Sequence, residues 1–154
     1  MNDLSTPVNR QIRLASRAIG LPTPGNWRFT EEPAAAPGEG GVVGQMLSLD
    51  PAMRGWMNEG RSYIAPVEIG AVMRAGGVGE VIASNNHAFE VGDRVTGGLG
   101  VQEYCAFDAA VLKRAGLAKI DPRIAPLEKW LNPLGMPGMT GYFGLLEVGR
   151  PKAG

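Results

Sequence analysis

The side chains best suited to metal binding and nucleophilic catalysis are scarce in this chain, which has one cysteine, Cys105, and one histidine, His87. A structural zinc needs four nitrogen or sulfur ligands, and a catalytic zinc needs three protein ligands. A Ser-His-Asp triad would have to use His87, and the chain has no G-x-S-x-G turn to present its serine. Cys105 is predicted to be a small buried apolar residue and His87 to face solvent from a polar turn. The sequence therefore predicts no metal site and assigns no catalytic residue.

The glycines at residues 76–79 (GGVG) raise the question of a phosphate-binding loop. Read from Gly77, the third glycine of a G-x-G-x-x-G motif would fall on Ile82. Glu80 and Val81 continue a strand pattern at the point where a helix should begin. These glycines are predicted to let a strand bend or bulge.

Length and charge narrow the class of protein. The 154 residues fit one domain with a real core. Fifteen basic residues balance fifteen acidic ones, and no basic block is present, so nucleic acid is not an expected partner. No apolar run reaches the roughly 18 residues of a membrane span, and the first residues lack the order of a secretory signal. The expectation is a cytoplasmic protein without a membrane partner, and a single cysteine agrees with a reducing compartment.

Short apolar stretches separated by 23 glycines and 12 prolines indicate a β-rich domain with many turns. Residues 9–15 alternate and predict a half-buried strand with Ile12 and Leu14 on its inner face, its arginines being assigned to a solvated face. Further strands are predicted at residues 42–49, within 67–83, at 94–96 and at 102–107.

Three helical stretches are also predicted. Asp50 and Pro51 fit the N-cap and first turn of a short helix, with the Asp50 side chain accepting hydrogen bonds from free amides. Asp121 and Pro122 give the same signal, and Ile124, Leu127, Trp130 and Leu131 follow at helical spacing. A last helix is predicted from near Pro137 to Gly149, with Tyr142 and Phe143 packed in the core.

Three segments together resemble a known family. They are residues 47–57 (LSLDPAMRGWM), 89–95 (FEVGDRV) and 135–145 (GMPGMTGYFGL). The chain resembles the N-terminal domain of zinc-free medium-chain dehydrogenases/reductases, in the branch of NADP-dependent alkenal/one and prostaglandin reductases. The resemblance implies a mainly β fold with short helices, a GroES-like and partly open β-barrel whose C-terminal helices lead toward an absent Rossmann domain. Residues 1–120 would form the GroES-like substrate-side domain and 121–154 a helical connector.

The resemblance also implies an activity and a site. The full-length protein would transfer hydride from NADP(H) to an α,β-unsaturated ketone or aldehyde and reduce its C=C bond, as a zinc-free enzyme and a homodimer. Met136 and Thr140 match positions that touch the nicotinamide end of the cofactor, Asp50 and Met53 shape the cleft beside it, and Tyr63 would line the substrate pocket. Leu47 and Met136 fall near positions that hold zinc ligands in zinc-dependent relatives.

Two interpretations of the chain remain open at this point. In the first it is the catalytic-domain fragment of such a reductase, inactive alone, with NADP(H) bound mostly by a domain that it lacks. In the second it is a stand-alone GroES-like binding or interaction module without catalysis, because a fold does not fix a function. The fragment interpretation predicts an uncovered sheet edge and apolar face, and hence self-association.

Overall fold

A computed structural model of the chain describes residues 7–36, 38–60 and 62–152. Two antiparallel sheets dominate it. A two-stranded sheet joins β1 to β2, and a five-stranded sheet has the order β6-β3-β4-β5-β7. The strands are β1 (Val8–Leu14), β2 (Trp27–Pro33), β3 (Gly40–Leu47), β4 (Gly77–Ser84), β5 (Arg94–Gly97), β6 (Tyr104–Phe107) and β7 (Ala118–Lys119). The sheets do not close on each other, so the predicted partly open, mainly β architecture is confirmed.

Three short α-helices, two 3-10 helices and one π-helical turn complete the fold of the described residues. The α-helices are α1 (Ala52–Trp56), α2 (Ala109–Ala115) and α3 (Met136–Phe143). Pro24–Asn26 and Leu127–Leu131 form 3-10 helices, and Gly144–Gly149 continues α3 as a π-helical turn. Among the described residues no helix is long and apolar enough to cross a membrane.

The glycines of residues 76–79 serve the sheet. Gly77 and Gly79 belong to β4, and the register against β3 shifts between Gly44 and Met46, opposite Gly79 and Val78. A Cβ on Gly79 would lie 2.4 Å from the Val43 carbonyl oxygen, so only glycine fits this close approach. The predicted strand irregularity is confirmed, and it lies in β3 as an extra residue opposite the β4 glycine.

Two clusters of buried residues form the core. The sheet core lies on the larger sheet with α2 packed against it, and it consists of Val42, Val81, Val95, Leu99, Cys105 and Phe107. The helix core lies under α1 and consists of Leu14, Ala18, Met57, Val67 and Met73. Cys105 is buried and His87 exposed, as predicted from the sequence.

One face of β1 differs from its prediction. Asn9 and Gln11 are buried, and the side chain of Arg13 is mostly covered, so this face is not solvated. The Asn9 amide donates to the Tyr104 carbonyl oxygen at 2.8 Å, and Arg13 donates to the Gly70 carbonyl oxygen at 2.9 Å. These polar groups are buried because each one has a hydrogen-bond partner. The alternation predicted the strand correctly, but the prediction that this face is solvated is wrong.

Candidate functional site

The helix α1 begins at the predicted Asp50–Pro51 turn but is capped differently. Pro51 occupies the N-cap position, and no side chain caps the helix. The Asp50 carbonyl oxygen accepts from the Met53 amide at 3.0 Å, and the Asp50 amide lies 3.4 Å from the Met53 sulfur. The predicted capping role of the Asp50 carboxylate is therefore wrong, and this half-buried group makes no hydrogen bond to the other described residues.

Packing and one arginine fix the orientation of α1. Met57, directly after the helix, is fully buried in the helix core, and Met53 and Trp56 pack against that core. Arg54 donates from Nη2 to the carbonyl oxygens of Ala18 and Gly20 at 3.1 and 2.8 Å. Apolar packing and these hydrogen bonds together hold the helix in a defined position.

Beside α1, three side chains form a small aromatic and cationic cluster. The indole Nε1 of Trp56 donates to the Tyr63 hydroxyl oxygen at 3.1 Å. The guanidinium of Arg74 lies 5.2 Å from the Trp56 ring centroid, within the range of a cation–π contact. Arg74 also donates from Nη2 to the Ala65 carbonyl oxygen at 3.1 Å, while its buried Nη1 has no partner among the described residues. We call Trp56, Tyr63 and Arg74 the Trp56 cluster.

The Trp56 cluster contains one predicted residue and two that sequence reasoning did not assign. Tyr63 is 83% exposed, so its ring is presented to solvent and its hydroxyl is oriented by Trp56. Trp56 follows Met53 at helical spacing, a signal that could have included it. Arg74 is distant in the sequence, and no local pattern marks it.

Met136 and Thr140 lie together at the start of α3. Gly135 and Gly138 let this helix approach the preceding turn closely, since a Cβ on Gly138 would lie 1.8 Å from the Pro133 carbonyl oxygen. The Thr140 hydroxyl donates to the Met136 carbonyl oxygen at 2.8 Å, which leaves its oxygen able to accept. Met136 is 74% exposed. The start of α3 is therefore a fixed surface with an apolar side chain and an acceptor on it.

The rest of α3 differs from its prediction. Tyr142 and Phe143 are exposed, and they contact each other edge to face with ring centroids 5.3 Å apart. Their predicted burial in the core is wrong. Large apolar side chains are exposed on all sides of this segment and its continuation: Met139, Leu145, Leu146 and Val148.

The connection before α3 only partly follows its prediction. Asp121 does not start a helix: its carboxylate accepts from the backbone amide of Arg123 at 2.9 Å and forms a turn. The 3-10 helix begins at Leu127 instead. Since each carboxylate oxygen also accepts from the Arg123 guanidinium, the pKa of Asp121 falls to about 2.

An open groove of about 560 Å³ lies elsewhere, between the β1–β2 sheet and the end of β3. Its apolar lining includes Ile12, Phe29 and Met46, and Arg10 and Glu103 form an ion pair on it at 2.6 Å. The Arg10 guanidinium lowers the pKa of the Glu103 carboxyl below its usual range. None of the five residues predicted for the site lines this groove.

The described residues contain no group of three or more His, Cys, Asp and Glu side chains that could hold a metal ion. Cys105 lies in the sheet core, where burial raises the pKa of its thiol to about 11. Because the thiolate is the nucleophilic form, this cysteine is held unreactive at neutral pH.

The fold and these surfaces define a class of protein. A family model described as the N-terminal domain of oxidoreductase matches residues 10–115. The chain belongs to this family, and its open-barrel fold is the GroES-like one that the sequence predicted.

Particular relatives are similar over nearly the whole chain. The NADPH-dependent curcumin reductase of Escherichia coli is 44% identical, over 95% of this chain and 41% of the relative. The NADP-dependent 2-alkenal reductase of Nicotiana tabacum is 34% identical, over 95% and 43%. The crystal structure of CurA from Vibrio vulnificus in complex with NADPH superposes with a TM-score of 0.78 and 38% identity, over 94% of this chain and 42% of that one. The chain thus spans about two fifths of the length of these relatives.

Proposed function

We propose that this chain forms the substrate-side domain of an NADP(H)-dependent, zinc-free reductase that saturates the C=C bond of α,β-unsaturated ketones and aldehydes. The observation that carries the proposal is similarity over 95% of the chain to relatives named as an NADPH-dependent curcumin reductase and a 2-alkenal reductase. In the whole protein, most contacts to NADP(H) would come from a further domain, and the protein would be a homodimer.

The start of α3 fits the nicotinamide end of such a cofactor. The exposed Met136 side chain offers an apolar surface for a flat ring, and the Thr140 oxygen offers an acceptor for its carboxamide group. When bound, the cofactor supplies the hydride that goes to the β-carbon of the substrate. Asp50 and Met53 would limit the cleft on the α1 side, where the Asp50 carboxylate is not used in capping.

The Trp56 cluster would form the wall against which the enone lies when it is bound. Trp56 holds the Tyr63 hydroxyl, so the exposed Tyr63 ring has one preferred orientation for a flat conjugated substrate. The cation–π contact of Arg74 would limit the motion of the Trp56 ring. The residues of this chain would bind and orient the alkene and exclude water from it. No residue of this chain is assigned as the proton donor.

A chimera tests the proposal. This chain would replace the matching part of the Escherichia coli curcumin reductase, and the product would be assayed with NADPH and a simple alkenal. We expect turnover by the chimera and none by the 154-residue chain alone. The Tyr63→Ala chimera should lose most of its substrate affinity while keeping its NADPH affinity, and Tyr142→Ala, an exposed aromatic outside the cluster, serves as its matched control.

A folded chimera that binds NADPH but reduces no enone would contradict the proposed reaction. Turnover of an alkenal by the 154-residue chain alone would contradict the proposal that a further domain supplies most contacts to NADP(H). Equal effects of Tyr63→Ala and its control would remove Tyr63 from the substrate site and leave the reaction class standing.

A further inference from the structure

The outer edge of β2 is not paired within the described part of the chain. The even-numbered residues of β1 direct their backbone amides and carbonyl oxygens away from β2. On that side the Ile12 amide donates to the Val101 carbonyl oxygen at 2.9 Å, and the Leu14 amide donates to the Ala71 carbonyl oxygen at 3.0 Å. Its odd-numbered residues therefore pair with β2, and the register aligns Gln11 with Thr30. It follows that Phe29 and Glu31 direct their amides and carbonyl oxygens away from β1.

These outward groups make no hydrogen bond to any described residue. The Phe29 side chain beside them is 76% exposed. An unpaired strand edge with an exposed aromatic is a template for another strand. Edge strands commonly resist such pairing with charges, and β2 carries Arg28, Glu31 and Glu32. The arrangement of these charges therefore decides which strand can pair.

The charges on β2 have opposite signs at its two ends, and this favours a second copy of the same strand. Antiparallel pairing about a twofold axis at Thr30 places Arg28 of each copy opposite Glu32 of the other. In the same register Phe29 and Glu31 of the two copies exchange backbone hydrogen bonds, since both face outward. If the twofold axis lay at Glu31 instead, Glu31 of one copy would lie opposite Glu31 of the other. If it lay at Phe29, Arg28 of one copy would lie opposite Thr30 of the other.

We propose that β2 is a self-association edge, on which two copies of this chain pair antiparallel about Thr30 and extend the β1–β2 sheet into a four-stranded one. The two Phe29 rings lie diagonal to each other on one face of the joint sheet, within reach of aromatic side chains. Because the paired edge is short and buries little area, the dimer is weak and depends on concentration.

Hydrogen exchange of the unmodified chain tests the position of the contact. Amide exchange is measured by NMR at low and high concentration, alongside sedimentation. We expect protection of Phe29 and Glu31 to rise as the dimer forms, while Thr30, already bonded to β1, stays protected throughout. A chain that stays monomeric, or a dimer that leaves Phe29 and Glu31 unprotected, for example one formed through α3, would overturn the proposal.

Charge reversals test the register. Arg28→Glu places like charges opposite each other in its own dimer and should dimerise about tenfold more weakly. Glu32→Arg does the same but also removes the ion pair between the Glu32 carboxylate and Arg13 of its own chain at 2.9 Å, so its fold is checked by circular dichroism before its dimerisation is measured. A mixture of the two restores unlike pairs at both ends and should dimerise like the unmodified chain. Lys113→Glu, a reversal on the exposed face of α2, is the matched control. Failure of the mixture to recover, with both variants folded, would overturn the register.

Discussion

The barrel and the C-terminal helical segment (residues 127–149) use similar apolar side chains in opposite ways. In the barrel, Leu14, Met57 and Met73 are fully buried. In the C-terminal helical segment, Met136, Phe143 and others of comparable size are exposed. The barrel is therefore stabilised by burial of its own apolar surface, whereas α3 is held against the turn before it by close backbone contacts at Gly135 and Gly138. The second region leaves its apolar side chains exposed.

Truncating one apolar residue in each region gives the largest expected difference in the free energy of unfolding. Leu14→Ala leaves a cavity in the helix core and should lower the free energy of unfolding by about 2–5 kcal/mol. Phe143→Ala removes an exposed ring and should change it by less than about 0.5 kcal/mol. Urea denaturation monitored by circular dichroism measures both. A large loss with Phe143→Ala would show that α3 contributes to the global fold and would break the comparison.

Adding one methyl group to a glycine in each region sharpens the contrast. Gly79→Ala forces a Cβ to 2.4 Å from the Val43 carbonyl oxygen inside the sheet and should cost about 1–3 kcal/mol of global stability. Gly138→Ala meets the Pro133 carbonyl oxygen even more closely, yet it should loosen only the start of α3. Its signature is faster amide exchange in α3 with an unchanged urea midpoint.

Matched controls exist for both glycine variants. A Cβ on Gly76 or on Gly141 meets nothing within 4 Å, and neither residue has a positive φ. Gly76→Ala and Gly141→Ala should therefore be neutral or slightly stabilising. If Gly138→Ala lowered the urea midpoint as much as Gly79→Ala, the two regions would unfold as one cooperative unit.

The sequence predicted those parts of the fold that local patterns encode. Alternation gave β1, and the switch to helical spacing with Gly149 at its end gave the region of α3 and its continuation. β2 was not predicted because its charged residues obscure alternation in a strand with one free edge. α2 was missed although Asp108 caps it by accepting from the Val111 amide at 2.7 Å, a signal that was present in the sequence.

The candidate site was less predictable because it depends on tertiary contacts. Asp50 and Tyr63 were proposed through family resemblance, and their roles stay predictions. Arg74 reaches the Trp56 ring only because the loop after residue 62 returns to α1, which no residue spacing encodes. Periodicity could not predict the exposure of Tyr142 and Phe143 either, because an apolar helix face in the sequence does not show whether another element covers it.

The reactivity of a single thiol tests locally the same difference in burial between the barrel and the C-terminal helical segment. Burial raises the pKa of Cys105 to about 11, so an alkylating reagent at pH 8 should modify it very slowly in the folded chain. In the double variant Cys105→Ser/Val148→Cys, the thiol sits on the exposed side of the C-terminal helical segment and should react about 100-fold faster. Mass spectrometry of the time course measures both rates. Rapid modification of Cys105 in the folded chain would show that the sheet core opens readily.

The turn that joins the two regions gives the smallest expected effect. Side-chain and backbone hydrogen bonds from Arg123 lower the pKa of Asp121 from 3.8 to about 2. Since the folded-state pKa is depressed, this contact stabilises the fold above pH 3.8, and the stabilisation is lost as the pH falls through about 2. Arg123→Ala removes the guanidinium but keeps the backbone amide, so the pKa of Asp121 should rise only part of the way to 3.8.

Carbon-13 NMR of the side-chain carboxyl measures this titration, with Arg114→Ala, on the exposed face of α2, as the control that should leave it unchanged. Both partners of the contact are solvent-exposed charges, so Arg123→Ala should shift the urea midpoint very little. An Asp121 carboxyl that titrates near 3.8 in the unmodified chain would show that the turn is open in solution. The C-terminal helical segment would then be joined to the barrel by a loose connection, while the close contacts of Gly135 and Gly138 would still hold the start of α3 against the turn before it.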